Sequence, residues 1–227
     1  MPPEAGASDG GAEDIRTVIL MRHGETDWNR QRRVMGTLDI PLNETGREQC
    51  ERAATVLADF GVTRVVTSPL ERAADSASRI ASRLGVQVEE DPDLEEVRFG
   101  HWQGLSYEEI VSHEDYRAFA ADPTRNPTPG GETIVQVQGR GLAAVGRAEP
   151  GERVVFVSHG DIIRAILSHY LAVPLDEFRR IRVDNCGLSA ITSRRGRAEV
   201  KFVNLLADPD RAWEPLHWSR KVSAPTS

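Results

Sequence analysis

Thr17-Val-Ile-Leu-Met21, running straight into Arg22-His23-Gly24-Glu25-Thr26, decides how this chain is read. A short apolar run, Val18–Met21 behind Thr17, suits a strand covered on both faces. In a doubly covered sheet, chemistry gathers where the strands end at their C-terminal edge. Two further segments that read as strands also end in polar clusters. Val62–Val66 runs into Thr67-Ser68-Pro69-Leu70-Glu71-Arg72, and Val154–Val157 into Ser158-His159-Gly160-Asp161. Two of the six histidines therefore follow a buried strand directly, each with a glycine next, and an arginine stands at each of two strand ends. A residue without a side chain at that point lets a ligand or a helix N-terminus come close.

Helical patterns separate the strands. Asn43–Phe60 carries Cys50, Ala53, Ala54, Leu57 and Ala58 on one face, with Asn43 or Thr45 as N-cap and Gly61 as the stop. Leu70–Leu84 does the same through Ala73, Ala77, Ile80 and Ala81, and Gly85 closes it. A short strand is expected over Val86–Val88, and helices over Thr133–Arg147 and Asp161–Leu171. Ser106–Ala120 reads as one or two short helices, and Asp122–Gly131 is rich in Pro, Gly and Asn. Arg179–Asn204 alternates around Arg194-Arg195-Gly196-Arg197 and reads as a β-hairpin. The alternation predicts an α/β three-layer sandwich with a largely parallel central sheet and helices on both faces. One domain is expected over 15–227, with a small helical insert at about 106–132, after a flexible acidic tail over 1–14.

Composition narrows the partners. The 227 residues include 28 Lys and Arg against 35 Asp and Glu, a net charge of −7 that should repel nucleic acid and acidic lipid. No apolar run is long enough to span a membrane, and residues 1–14 lack the apolar core of a signal peptide. Only two cysteines, Cys50 and Cys186, exclude a disulfide scaffold; they read as packing residues in a reducing compartment, most simply the cytoplasm. The sequence carries no signal for oligomeric state.

The strand ends suggest the chemistry. Two imidazoles and two guanidiniums converging make a cationic, donor-rich pocket suited to phosphate. A neutral imidazole can attack phosphorus and form a phosphoimidazole, with cationic neighbours stabilising the equatorial oxygens. A carboxylic acid is then needed to protonate the leaving oxygen and later activate water, and the irregular segment after Asp91 offers Glu95 and Glu96. Competing patterns are weaker. Gly139-Arg140-Gly141-Leu142-Ala143-Ala144 matches a dinucleotide fingerprint by letters but lacks a preceding strand. Gly141–Ala148 mimics a P-loop, yet Arg147 and Ala148 replace its Lys and Ser/Thr. A cysteine phosphatase needs Arg six residues past the cysteine, where Val56 and Thr192 stand. A metal site from His23, His159 and carboxylates lacks paired-His spacing within one helix. Trp102 reads as packing beneath the site; Trp213 and Trp218 suggest no role.

Arg22-His23-Gly24-Glu25-Thr26, Ser158-His159-Gly160 and Leu94-Glu95-Glu96-Val97-Arg98-Phe99-Gly100-His101-Trp102-Gln103-Gly104 together resemble the histidine phosphatase superfamily. This is the clan of cofactor-dependent phosphoglycerate mutases and their phosphatase relatives, and the resemblance spans about Thr17–Asn204. It implies that His23 is the phosphorylated nucleophile and that Glu96, rather than Glu95, is the acid/base. It further implies that Arg22, Asn29, Arg72, His159 and the Gly160 backbone N–H form the phosphate pocket. The insert then lies over the active site, and Pro129-Gly130-Gly131-Glu132 matches a structural loop of the family. Three positions depart from the pattern: Met35 ahead of Gly36, where phosphatases often have Gln and mutases Thr; Asp161, where a small residue is common; and Ser76 for Thr. At the two places where mutases carry a Tyr and a Lys after the glutamate, this chain has Phe99 and Tyr107. The activity implied is hydrolysis of a small-molecule phosphate ester without a metal or other cofactor, with phosphoglycerate mutase as the alternative.

Overall fold

The computed structural model describes residues 14–207. The strand that opens it, β1 (Arg16–Arg22), is sandwiched as its apolar run requires. Val18 and Leu20 enter one buried cluster, and Ile19 and Met21 the other. Alternate residues of a strand point to opposite faces, so an unbroken apolar run feeds two cores at once. The helices α2 (Glu44–Leu57) and α3 (Glu71–Leu84) cover one face through Cys50, Ala53, Ala77 and Ile80. The other face is covered by α6 (Ile134–Gly146) and α7 (Gly160–Tyr170) through Val137, Val145, Ile162 and Ile166.

The sheet has six strands in the order β3-β2-β4-β1-β5-β6. The remaining strands are β2 (Arg64–Thr67), β3 (Val88–Glu90), β4 (Arg153–Ser158), β5 (Leu188–Arg194) and β6 (Arg197–Leu205). The first four strands are parallel, while β5 runs antiparallel to β1 and β6 antiparallel to β5. Register matters most at the centre. β1 and β4 pair from Thr17↔Arg153 to Arg22↔Ser158, and β4 and β2 from Val154↔Arg64 to Val157↔Thr67. Three parallel strands therefore end at one level, and the residues leaving them emerge side by side.

The helix boundaries follow their caps. The Asn43 side chain accepts from the Gly46 N–H at 2.8 Å, and Thr133 and Gln136 form a reciprocal box at the start of α6. Two boundaries differ from expectation. β3 lies two residues later than its apolar letters suggest and is exposed along its length; it is an edge strand whose Glu89 and Glu90 guard against further pairing. The hairpin begins only at Leu188: before it, Leu175–Arg180 forms 3-10 turns and 181–187 a loop. Its two-residue tip, Arg195-Gly196, has φ of 50° and 76°, the double positive φ that a type I′ turn demands.

Residues 106–132 contribute α4 (Tyr107–Ser112) and α5 (Glu114–Ala121), which bury Ile110 and Phe119. Trp102, 2% exposed, meets the Phe119 ring edge-on at 5.3 Å and anchors this segment to the core. Cys50 and Cys186 are free thiols, buried and 3.6 Å apart at sulfur. No helix among the described residues is long and apolar enough to cross a membrane. The tail over 1–14, save Asp14, lies outside the described residues, as do Trp213 and Trp218.

The glycines of the dinucleotide-like segment lie inside α6. A Cβ on Gly141 would stand 2.9 Å from Cγ1 of Ile166 and 3.0 Å from Cγ1 of Ile162, so the position sets how closely α6 approaches α7. Gly139 faces open space. Gly141→Val should cost about 1–3 kcal/mol by overpacking, or roughly 2–10 °C in Tm, whereas Gly139→Ala should hold or raise Tm through helix propensity. Thermal melts of the two variants compare them directly; equal losses would contradict this packing.

Candidate active site

His23 leaves β1 with its backbone N–H donating to the Ser158 carbonyl at 2.9 Å, which extends the β1–β4 ladder by one step. Its ring is 1% exposed, and Nδ1 lies 2.7 Å from the Gly24 carbonyl. A carbonyl can only accept, so Nδ1 carries the proton and Nε2 the lone pair. Burial, then the charges of Arg72 and Arg22, hold the imidazole well below its usual value, so it is neutral at pH 7. Gly24 is required by a close approach of protein: a Cβ there would meet the Gly46 carbonyl of α2 at 2.5 Å. Its N–H donates to Ser76 Oγ at 3.0 Å, and Ser76 donates to the Arg72 carbonyl, so serine suffices in this role.

His159 caps α7 at the end of β4, and its ring centroid is 5.2 Å from that of His23. Nε2 lies 2.8 Å from Ser68 Oγ, at the end of β2. Nδ1 is buried with no hydrogen-bond partner. Burial, followed by Arg72, His23 and Arg22, also keeps this ring neutral.

Both arginines have a donor to spare. Arg72, in the first turn of α3 and fully buried, donates from its two η nitrogens to the Leu38 and Gly36 carbonyls at 2.8 and 2.7 Å. Arg22 donates from Nη1 to the Val183 carbonyl at 2.9 Å. The Nε of each is buried and unpartnered. Burial lowers Arg72 to about 10, leaving it charged at neutral pH. Burial, then Arg164, lowers Arg22.

Glu96 approaches the same place from another loop. Its Oε1 accepts from the Val97 N–H at 3.0 Å, and Oε2 from the Asp161 N–H in the first turn of α7 at 3.4 Å. Burial and the Asp161 charge raise its carboxyl, outweighing Arg72 and Arg22. Arg140 holds the loop, donating to the Asp93, Glu95 and Glu96 carbonyls at 2.9, 2.5 and 3.1 Å. The Glu132 carboxylate braces Arg140 at 3.1–3.2 Å and accepts from the Arg98 N–H at 2.9 Å. The Pro129–Glu132 loop thus frames the Glu96 segment. Glu95 contributes its carbonyl to the same clamp.

Asn29 belongs to a capping box at α1 (Asp27–Arg30), where its Oδ1 accepts from the Thr26 N–H at 3.0 Å and from Asn185 Nδ2 at 3.2 Å. The amide Nδ2 is the half of Asn29 left over by these bonds. Met35 sits 9% exposed with its sulfur 3.3 Å from Thr26 Oγ1. Gly160 opens α7, and its Cβ position lies 3.6 Å from Arg22 Nε.

Every residue expected at the site is thus gathered at one end of the sheet, on β1 and on the segments that follow β1, β2, β3 and β4. Sequence reasoning missed several supports. Ser68 orients His159, and its only signal was its place in a polar strand end. Asn185 holds the His23 carbonyl at 3.0 Å from a loop that alternation had assigned to a strand. Arg140 was hidden inside a decoy motif. Among the described residues no group of three or more His, Cys, Asp or Glu is arranged to hold a metal ion.

Known proteins are similar to this chain in sequence and fold. "Phosphoglycerate mutase-like protein 4" of Arabidopsis thaliana is 38% identical over 161 residues, covering 67% of this chain and 70% of its own. "Uncharacterized phosphatase PhoE" of Bacillus subtilis (strain 168) is 34% identical over 194 residues, 84% of this chain and 95% of its own. A mycobacterial glucosyl-3-phosphoglycerate phosphatase, solved in complex with VO3, superposes with a TM-score of 0.74 at 31% identity, over 83% of this chain and 99% of that one. The family model of the histidine phosphatase superfamily (branch 1) matches residues 18–206, nearly all that the structure describes, and the chain belongs to that superfamily.

Proposed function

We propose that the protein is a metal-independent phosphomonoesterase acting on a small phosphorylated metabolite through a phosphohistidine at His23. One observation carries the reading. Three buried nitrogens, Arg22 Nε, Arg72 Nε and His159 Nδ1, lack partners beside a neutral histidine whose Nε2 keeps its lone pair. The Ser68 Oγ already accepts from the Leu70 N–H, and its hydroxyl donating to His159 Nε2 puts the ring proton on Nδ1; buried donors are costly to leave unpaired, and the oxygens of a phosphate would satisfy all three.

The steps follow. Nε2 of His23 attacks phosphorus in line, and the bond to the ester oxygen breaks as Glu96, whose carboxyl is shifted upward by burial and by Asp161, gives that oxygen its proton. Arg22 and Arg72 take up charge on the equatorial oxygens, with donors from His159, Asn29 and Gly160. Water then attacks the phosphoimidazole and Glu96 accepts its proton. The P–N bond breaks, and inorganic phosphate leaves. Each donor is in place beforehand, because Gly36, Leu38, Val183 and Ser68 fix the side chains that carry it. The reducing cytoplasm, where the two contacting thiols stay free, is the compartment that suits the protein.

Mutase activity would use the same groups but return the phosphoryl to substrate, and relatives carry both kinds of name. Two observations favour water as the acceptor. Phe99 is packed in the core, and the Tyr107 hydroxyl is bonded to that of Tyr116 at 2.9 Å, so neither position offers a charged anchor to hold a phosphoglycerate.

His23→Ala should abolish phosphate release from an aryl phosphate, and Arg72→Ala or His159→Ala should lower kcat/KM by about 10²–10³ or more. Near-normal turnover of His23→Ala would refute the nucleophile assignment. Hydrolysis should also exceed 3-phosphoglycerate to 2-phosphoglycerate conversion by at least roughly tenfold on one preparation primed with 2,3-bisphosphoglycerate, a barrier difference of about 1.4 kcal/mol. Isomerisation outrunning phosphate release on every ester tried would select the mutase.

A further inference from the structure

We propose that Asp161 selects the substrate: it places the protein's own carboxylate where Arg164 and Arg179 would hold a second anionic group of the ester. The favoured substrate is then the monophosphate of an uncharged alcohol. The inference rests on the phosphomonoesterase reading above and narrows it to a substrate class.

The argument starts from position. Asp161 is the second residue of α7, next to Gly160, and its N–H reaches Glu96 Oε2. It therefore stands beside the group that would face the leaving oxygen, on the side where the alcohol portion of an ester must lie. Its carboxylate is bonded to Arg164 Nη1 at 2.7 Å and lies 3.6 Å from Arg179 Nη2. Both arginines are anchored in advance. Arg164 donates from Nε to the Ile181 carbonyl at 2.9 Å, and its Nη1 would be 3.1 Å from a Cβ on Gly160, whose Cβ position also lies 3.6 Å from Arg22 Nε. Arg179 packs over the rings of Phe119 and Phe178, at 4.8 and 5.2 Å from their centres. Thus a pair of held guanidiniums, one of them beside a phosphate-binding arginine, converges on a single carboxylate. That is the arrangement by which arginines recognise a carboxylate-bearing ligand, with the ligand built into the chain.

The built-in anion persists at working pH. Burial acts to raise the Asp161 carboxyl, but Arg179 and Arg164 overcome it and hold the group below the usual carboxylate range. The Asp161 side chain is 13% exposed, against 23% for Arg164 and 34% for Arg179, so a substrate group can approach the pair but finds the inner position filled. A substrate carboxylate arriving there would find the inner position between the two guanidiniums taken by a like charge, which already neutralises much of their attraction. A hydroxyl, being uncharged, can donate to Asp161 or accept from either arginine.

A matched pair of esters tests this. Glycerol 3-phosphate and 3-phosphoglycerate share a three-carbon chain and a phosphate, and differ in carrying CH2OH or a carboxylate at the far carbon. An aryl phosphate without a second anion serves as reference. Phosphate release gives kcat and KM for the wild type, Asp161→Asn, and Asp161→Asn combined with Arg179→Gln. The wild type should favour glycerol 3-phosphate in kcat/KM by at least about tenfold, chiefly through KM. Asp161→Asn should move that ratio at least about tenfold toward 3-phosphoglycerate, again through KM, and the added Arg179→Gln should reverse most of the gain. A wild-type preference for 3-phosphoglycerate would overturn the proposal without any variant. So would an Asp161→Asn ratio unchanged from the wild type. Failure to release phosphate from all three esters, the aryl phosphate included, would instead overturn the phosphatase reading beneath it.

Discussion

The in-register parallel pairing of β1 with β4 is the constraint on which the rest depends. Because Arg22 stands opposite Ser158, His23 and His159 leave the sheet together, and the His23 N–H takes the next ladder bond on Ser158. β2 joins the far side of β4 one residue shorter, which delivers Ser68 to His159. A slip of one residue would turn Ile19 and Met21 into the wrong core and separate the two imidazoles. The same apolar alternation that buries two faces therefore also fixes the geometry of the polar end. The helices that follow β1 and β4 cover opposite faces, so these strand ends meet at the kind of crossover point where α/β sheets bind ligands.

Electrostatics follow from that geometry. Cations and imidazoles held close together in a buried place cannot all be charged. Burial and the two arginines drive both histidines neutral, while the arginines, with far higher intrinsic basicity, stay charged. Glu96 moves the opposite way because burial and Asp161 outweigh the arginines. One environment thus holds a neutral imidazole, a charged guanidinium and a carboxyl shifted upward, the settings that the proposed phosphoryl transfer would use. The backbone supports are as specific as the side chains: the Leu38 and Gly36 carbonyls accept from the two η nitrogens of Arg72, the Val183 carbonyl accepts from Nη1 of Arg22, and each Nε is left over.

The central architecture was legible in the sequence because its signals are local and strong. Apolar runs marked β1 and β4, and Asn43, Thr133, Gly61 and Gly85 marked helix ends. The strand-end reading found His23, His159, Arg22 and Arg72 from residues alone. Choosing Glu96 over Glu95 needed the family resemblance, since side-chain direction in an irregular loop has no period; it is Arg140, an element away, that fixes it. Asn185 was illegible for a similar reason. Its segment alternates like a strand, yet Cys186 adopts a φ of 55° and donates its N–H to the Arg22 carbonyl, which turns the chain under the site before the hairpin begins. β3 was displaced because edge pairing is set by backbone partners, while its apolar letters are exposed. Asp161 was visible as a departure from the family pattern, but its two arginine partners came only with the fold.

The central claim is that phosphorus passes through nitrogen of His23. Rapid acid-free denaturation of the protein during turnover of a labelled phosphate ester, followed by mapping of the bound label, tests it most directly. The account predicts label on His23, stable in base, released by mild acid, and absent from His23→Ala. Turnover with no trapped label at any time point, or label that persists in His23→Ala on another residue, would contradict it.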